Sequence, residues 1–85
     1  MKLAVVCGQK SEDIKKRLLS IHDNLQIDAY VDIDTMITNS IQRQYFYDRI
    51  LFASHLIRGA EMDNFQMLKD YVINDSPRSE VVYVC

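Results

Sequence analysis

Four short apolar runs with the character of β-strands, separated by three stretches with helical spacing, constrain this chain more than anything else in it. Leu3-Ala4-Val5-Val6-Cys7, Ile27 to Ile33, Ile50-Leu51-Phe52-Ala53 and Val81-Val82-Tyr83-Val84-Cys85 read as strands, each of strand length and most rich in β-branched residues. Segments near 11–22, 35–44 and 60–74 carry apolar residues at intervals of three and four and read as helices. A βαβαβαβ order joins parallel strands through helical crossovers, which predicts an α/β fold with helices against a single sheet. The first and third runs are apolar on both faces, as central parallel strands are. In the second, Ile27, Ala29, Val31 and Ile33 alternate with Asp28, Tyr30, Asp32 and Asp34, a pattern that predicts one solvated face and an edge position. The resulting sheet order is 2-1-3-4.

The 85 residues suffice for one domain, 1–85, and for no second. A chain this short buries only about 60–65% of the surface its unfolded form exposes, so its stability margin is modest. Two glycines and one proline fit short loops, and there is no repeat or low-complexity tract. A net charge of −2 gives no reason to expect a nucleic-acid or acidic-lipid surface. No apolar run approaches the ~20 residues of a membrane span. The opening Met1-Lys2-Leu3-Ala4-Val5-Val6-Cys7 has too short an apolar core for a signal peptide, and the expected location is cytoplasmic. Cys7 and Cys85 close the first and last strands; with one strand between them their backbones lie roughly 10 Å apart, too far for a disulfide.

Along the chain, Ser11 is the expected N-cap of the first helix, with Glu12 and Asp13 in its first turn and Ile14, Leu18, Ile21 and Leu25 forming its apolar stripe. The second helix, about Thr35 to Gln44, carries Met36, Ile37 and Ile41. Gly59 punctuates ahead of the third, whose face is Met62, Phe65, Leu68 and Val72, and Asn74-Asp75-Ser76-Pro77 stops it. Glu12 with Lys16 and Asp13 with Arg17 are spaced for ion pairs one turn apart, which makes Lys15-Lys16-Arg17 a solvated face.

In parallel sheets chemistry gathers at the carboxyl ends of the strands. Those ends carry Cys7-Gly8, Asp32 to Thr35, Ser54-His55 and Cys85, which complete no catalytic motif. Gly8-Gln9-Lys10-Ser11 follows a strand and opens a helix, but a triphosphate loop needs G-x-x-x-x-G-K-[ST], and Gln9 and Ala4 stand where its glycines belong. Cys7 has two readings: a buried structural thiol, or a nucleophile activated by a helix N-terminus, with His55 approaching from the third strand end. Phosphocysteine carriers of the sugar-transport B-subunit type are similar in placing a cysteine after the first strand. Their loop, C-x-x-G-x-[GS]-[ST], is not matched by Cys7-Gly8-Gln9-Lys10-Ser11-Glu12-Asp13, and the two acids would repel a phosphate. His22 near a helix C-terminus complements the dipole. Arg43, Tyr45, Phe46, Tyr47 and Arg49 interleave cations and aromatics, a pattern that can stack bases, but they lead into the third strand at the opposite edge and read as packing.

Lys2-Leu3-Ala4-Val5-Val6 with its helix-opening loop, and Tyr45-Phe46-Tyr47-Asp48-Arg49-Ile50-Leu51-Phe52-Ala53-Ser54, together resemble a shortened response-regulator receiver domain. The resemblance implies a three-layer flavodoxin-like (Rossmann-like) sandwich. A working receiver has two acids after its first strand, an aspartate ending the third, and a lysine after a fifth. Here Cys7-Gly8 replace the acids, Ala53 or Ser54 the phosphoacceptor, and no fifth strand follows. Hard-cation and acyl-phosphate chemistry need those carboxylates, so no catalytic residue, metal or cofactor is expected. Degenerate receivers of this kind stand at the front of MinD/ParA-like ATPases of the tight-adherence pilus system (TadZ/CpaE type). There they serve self-association and localisation, which implies a regulatory interaction domain at the N-terminal part of a longer protein.

The fourth run gives the expected interface. Val81, Val82, Tyr83 and Val84 are free of charge and proline and form the outer edge of a 2-1-3-4 sheet, a template for another chain. The partner expected there is a second copy, as a homodimer, or a further domain of the same protein.

Overall fold

Lys2–Val6 forms β1, Gln26–Tyr30 β2, Arg49–Phe52 β3 and Glu80–Tyr83 β4, and Ser11–Ile21, Ile33–Arg43 and Glu61–Asn74 form α1, α2 and α3. The computed structural model describes residues 1–57 and 61–84, with backbone alone at 61 and 62. The turn expected at Gly59, the Met62 side chain and Cys85 lie outside the described residues. All neighbouring strands run parallel in the order β2-β1-β3-β4, with Val5 opposite Ala29 on one side and Leu51 on the other. This is the predicted order, and it follows from the doubly apolar β1 and β3 occupying the centre. The architecture is a flavodoxin-like α/β sandwich. No helix among the described residues is long and apolar enough to cross a membrane.

The strand pleat divides the core in two. Ala4, Val6, Ile50 and Phe52 face α2 and α3, where Ile33, Met36, Leu68 and Tyr71 close over them. Leu3, Val5, Cys7 and Ile27 face α1, with Ile14 and Leu18 packed against them. Phe52 and Ile50 are fully buried, and each contributes about 2–3 kcal/mol of apolar transfer free energy. Right-handed crossovers account for the division. The chain moves one way from β1 to β2 and the other way from β2 to β3 and β4, so α1 falls on one face and α2 and α3 on the other.

Four local expectations are corrected. The second strand ends at Tyr30 rather than Ile33, and α2 begins at Ile33 rather than Thr35. Asp32 is extended and accepts a hydrogen bond from the Thr35 N–H at 2.8 Å, so it caps the helix that its alternation with Ile33 had placed in a strand. Hydrogen bonding to Thr35, from its side chain first and its backbone N–H second, lowers the Asp32 carboxyl below its ordinary value. Ser11 is not an N-cap: it lies inside α1, buried, accepting from the Cys7 N–H at 2.7 Å and facing the carbonyls of Gly8 and Tyr30. Its hydroxyl thus ties the end of β1 to the end of β2. The Glu12–Lys16 and Asp13–Arg17 pairs do not form; the ion pairs among the described residues are Arg43–Asp28 and Arg49–Glu80. β2 is an edge strand as expected, but its polar face is not simply solvated, since Tyr30 is buried there.

Candidate functional site

The carboxyl edge of the sheet is built by two single 3₁₀ turns, Gly8–Lys10 after β1 and Ser54–Leu56 after β3. They meet at Gly8, whose φ of +64° is open to glycine at little cost. A β-carbon there would stand 1.7 Å from the Leu56 carbonyl oxygen, so the turns touch only because this residue has none. The backbone groups around them are satisfied locally. Ala53 N–H donates to Val6 at 3.1 Å, Lys10 N–H to Cys7 at 3.3 Å and Ile57 N–H to Ser54 at 3.1 Å. A cavity of about 520 Å³ lies over the turns, with Lys10 and His55 on its wall.

The sequence-derived residues meet here only in part. Ala53, at the receiver's phosphoacceptor position, is buried, and Ser54 opens the second turn. Cys7 and His55 line the same cavity. Yet His55 is exposed, Cys7 is fully buried, and the thiol's hydrogen bond goes to the Leu51 carbonyl at 3.9 Å rather than to the imidazole. Burial pushes the Cys7 thiol above its ordinary 9.0, opposed by a backbone hydrogen bond with Ala53. A nucleophilic cysteine needs the reverse shift. In the native protein, iodoacetamide labelling at Cys7, followed by peptide mass spectrometry, is therefore expected to stay negligible below pH 9.0. Half-maximal labelling well below pH 8 would instead mark an activated thiol. No three His, Cys, Asp or Glu side chains cluster to hold a metal ion among the described residues.

The second predicted site, β4, is the other sheet edge. It pairs with β3 through Glu80 opposite Arg49 and Tyr83 opposite Phe52, and among the described residues with no further strand. Upstream, the buried Ser79 hydroxyl donates to the Tyr47 carbonyl and sets where the strand begins. The Glu80 and Val84 N–H groups donate to Asp48 and Phe52 of the β3 side at 2.9 Å. The period-two alternation of a strand then turns the Val81 and Tyr83 N–H groups outward. Val81 packs against the core below α3, while Tyr83 stacks on Phe65 and remains 54% exposed. Val82 and Val84 are half-buried on the opposite face.

Sequence reasoning missed one constellation. Tyr30 and Tyr47 are buried, and their hydroxyls lie 2.7 Å apart. Tyr47 donates to Asp28 Oδ2 at 2.7 Å, and Arg43 Nη2 lies 3.2 Å from the Tyr30 hydroxyl and 3.5 Å from Asp28. Because a carboxylate only accepts, the chain has one direction: Arg43 to Tyr30, Tyr30 to Tyr47, Tyr47 to Asp28. Within the aromatic–cation run at 43–49, Tyr45 packs edge-on to Tyr47 with Lys2 over its ring at 4.6 Å, whereas Phe46 is exposed. Only the alternation that set Asp28 and Tyr30 on one face of the second strand hinted at the cluster.

Comparison with protein-family models, curated proteins and solved structures finds no match to this chain.

Proposed function

We propose that this chain is a receiver-like interaction domain that acts by association rather than by chemistry, with two copies joining through their β4 edges. The open β4 edge carries this reading. Val81-Val82-Tyr83 offers outward N–H and C=O groups with no charge after Glu80 to discourage pairing, whereas acidic residues blunt natural edges such as β2 at Asp28. Antiparallel pairing of two β4 strands about a two-fold axis extends the four-stranded sheet to eight and leaves no such edge at the centre. The carboxyl edge supports the non-catalytic part: Cys7-Gly8 and Ala53-Ser54 supply no carboxylate, and the Cys7 thiol is buried, which disfavours its thiolate. By resemblance to degenerate receivers, the same proposal gives the domain a regulatory role in the cytoplasm, self-associating or localising a longer pilus-assembly or partitioning-type ATPase.

Sedimentation velocity at high micromolar concentration is expected to show a dimer. Val81→Pro removes one outward N–H without touching the β3 ladder, a substitution edge strands tolerate. It should give a monomer with unchanged far-ultraviolet circular dichroism; Val82→Lys, which places a charge on the edge strand, should do the same. A wild-type chain already monomeric at that concentration would overturn the proposal, and so would a Val81→Pro chain that is folded and still dimeric.

A further inference from the structure

The helices are shared unequally between the two faces of the sheet. α2 and α3 cover one, while α1 lies on the other against β1 and β2. Beside α1, Leu51 of β3 and Val82 and Val84 at β4 are half-buried, and no helix among the described residues lies over them. Two strands at ~4.8 Å spacing make a strip about 10 Å wide, the diameter of one α-helix. Two hollows of about 360 Å³ and 420 Å³ run along it and share Leu18 as a wall. The apolar residues of α1 do not close the strip: Ile14 and Leu18 are only half-buried and Ile21 is 71% exposed, and Leu25, expected in the same stripe, falls beyond the helix in the loop before β2 and is half-buried too.

Charge selects the occupant. The chain as a whole carries −2, yet no carboxylate lines either hollow, whereas Lys10, Arg17 and Arg49 do. Arg49 is held by Glu80 at 3.4 Å; Lys10 and Arg17 have no ion-pair partner among the described residues. Packing this face on the same face of a second copy would set these cations against each other. We propose that the strip is the docking site for an amphipathic helix with acidic flanks supplied by another protein. Apolar side chains at i, i+3, i+4 and i+7 would fill the hollows over Leu51 and Val82, and Glu or Asp on the flank facing α1 would meet Arg17 and Lys10. This surface is distinct from the β4 edge, where backbone groups make the contact.

The test uses the 85-residue chain and three fluorescein-labelled peptides of equal length. One carries a leucine stripe at helical spacing with glutamate flanks, one the same stripe with lysine flanks, and one the first composition scrambled. Fluorescence anisotropy should show saturable binding of the first alone. Methyl resonances of Leu18, Leu51, Val82 and Val84 should shift on titration, while those of Val6 and Ile50 beneath α2 and α3 stay still. Arg17→Glu and Lys10→Glu, both at exposed helical positions, should each weaken binding about tenfold or more. Val81→Pro should bind as tightly as the wild type. The inference fails if the glutamate peptide does not bind by about 1 mM, if the lysine or scrambled peptide binds equally, or if the shifts fall elsewhere. It also fails if the same methyls shift on concentrating the protein alone, because a second copy then occupies the strip.

Discussion

Gly8→Ala is expected to destabilise the domain by about 3 kcal/mol or more, enough to lower the midpoint of thermal unfolding by ~12 °C or more. Two effects act together. At φ +64° an alanine costs about 1–2 kcal/mol, since its β-carbon crowds the following carbonyl. The larger effect is steric: the new carbon would lie 1.7 Å from the Leu56 oxygen and 2.7 Å from its carbonyl carbon. Those atoms are backbone, so relief requires the whole second 3₁₀ turn to move. That turn follows Ala53, whose N–H is bonded to Val6, and precedes the buried Ile57. Movement there opens the core between β1 and β3. Gly8→Asn separates the two causes. Asparagine tolerates the left-handed region better but brings the same β-carbon, so it should be nearly as destabilised as alanine. A chain of this size has a total stability of only about 4–13 kcal/mol, so the effect is measurable by urea unfolding. A loss below about 1 kcal/mol for Gly8→Ala would contradict the close approach of the two turns.

The glycine and the sheet order illustrate what a single sequence discloses. Order 2-1-3-4 is legible because β1 and β3 are apolar on both faces, a property of the residues themselves. The unequal sharing of helices follows from that order with right-handed crossovers, so the open strip beside α1 was implicit in the same reading. The β2–α2 boundary was misread because Asp32 satisfies two patterns at once, polar alternation in a strand and the cap of a helix; the hydrogen bond to Thr35 decides between them. Ser11 shows the same ambiguity. A serine before an acidic first turn fits an N-cap, but here the chain turns at Gly8–Lys10 and carries the hydroxyl inward to bridge two strand ends. The negative part of the site was plain, since a missing carboxylate is visible at once. The positive part was not. Arg17 looked paired and solvated and Lys10 belonged to a loop that fits no phosphate motif, and only the fold places them on one rim with Arg49, 32 positions beyond Arg17. Gly8 itself read only as the start of the loop that follows the first strand, because its contact lies 48 positions away at Leu56.

The tyrosine chain gives a second large effect, and one that changes with pH. Tyr47→Phe removes the donor to Asp28 and the acceptor for Tyr30 together, leaving the Tyr30 hydroxyl with only the arginine donor beside it. The expected cost is about 2 kcal/mol near neutral pH. Tyr30→Phe should cost less, because Tyr47 keeps its bond to the carboxylate. Burial, followed by hydrogen bonding with Tyr30 and with Asp28, pushes the Tyr47 phenol far above its ordinary 10.0. Above pH 10 the unfolded chain loses this proton while the folded chain retains it. Stability is therefore fully present below pH 10 and falls by about 1.4 kcal/mol per pH unit above it for this group. Tyr47→Phe has no such proton and lacks that slope. The wild type's advantage of about 2 kcal/mol should thus disappear within about 1.5 pH units above 10. Cys7, also raised by burial, adds a decline of the same sign from about pH 9.0, but both proteins share it and it cancels in the difference. Urea unfolding of the pair at pH 8, 10 and 11 measures this directly. A difference that stays constant across the three values would show that Tyr47 is not held protonated by the fold.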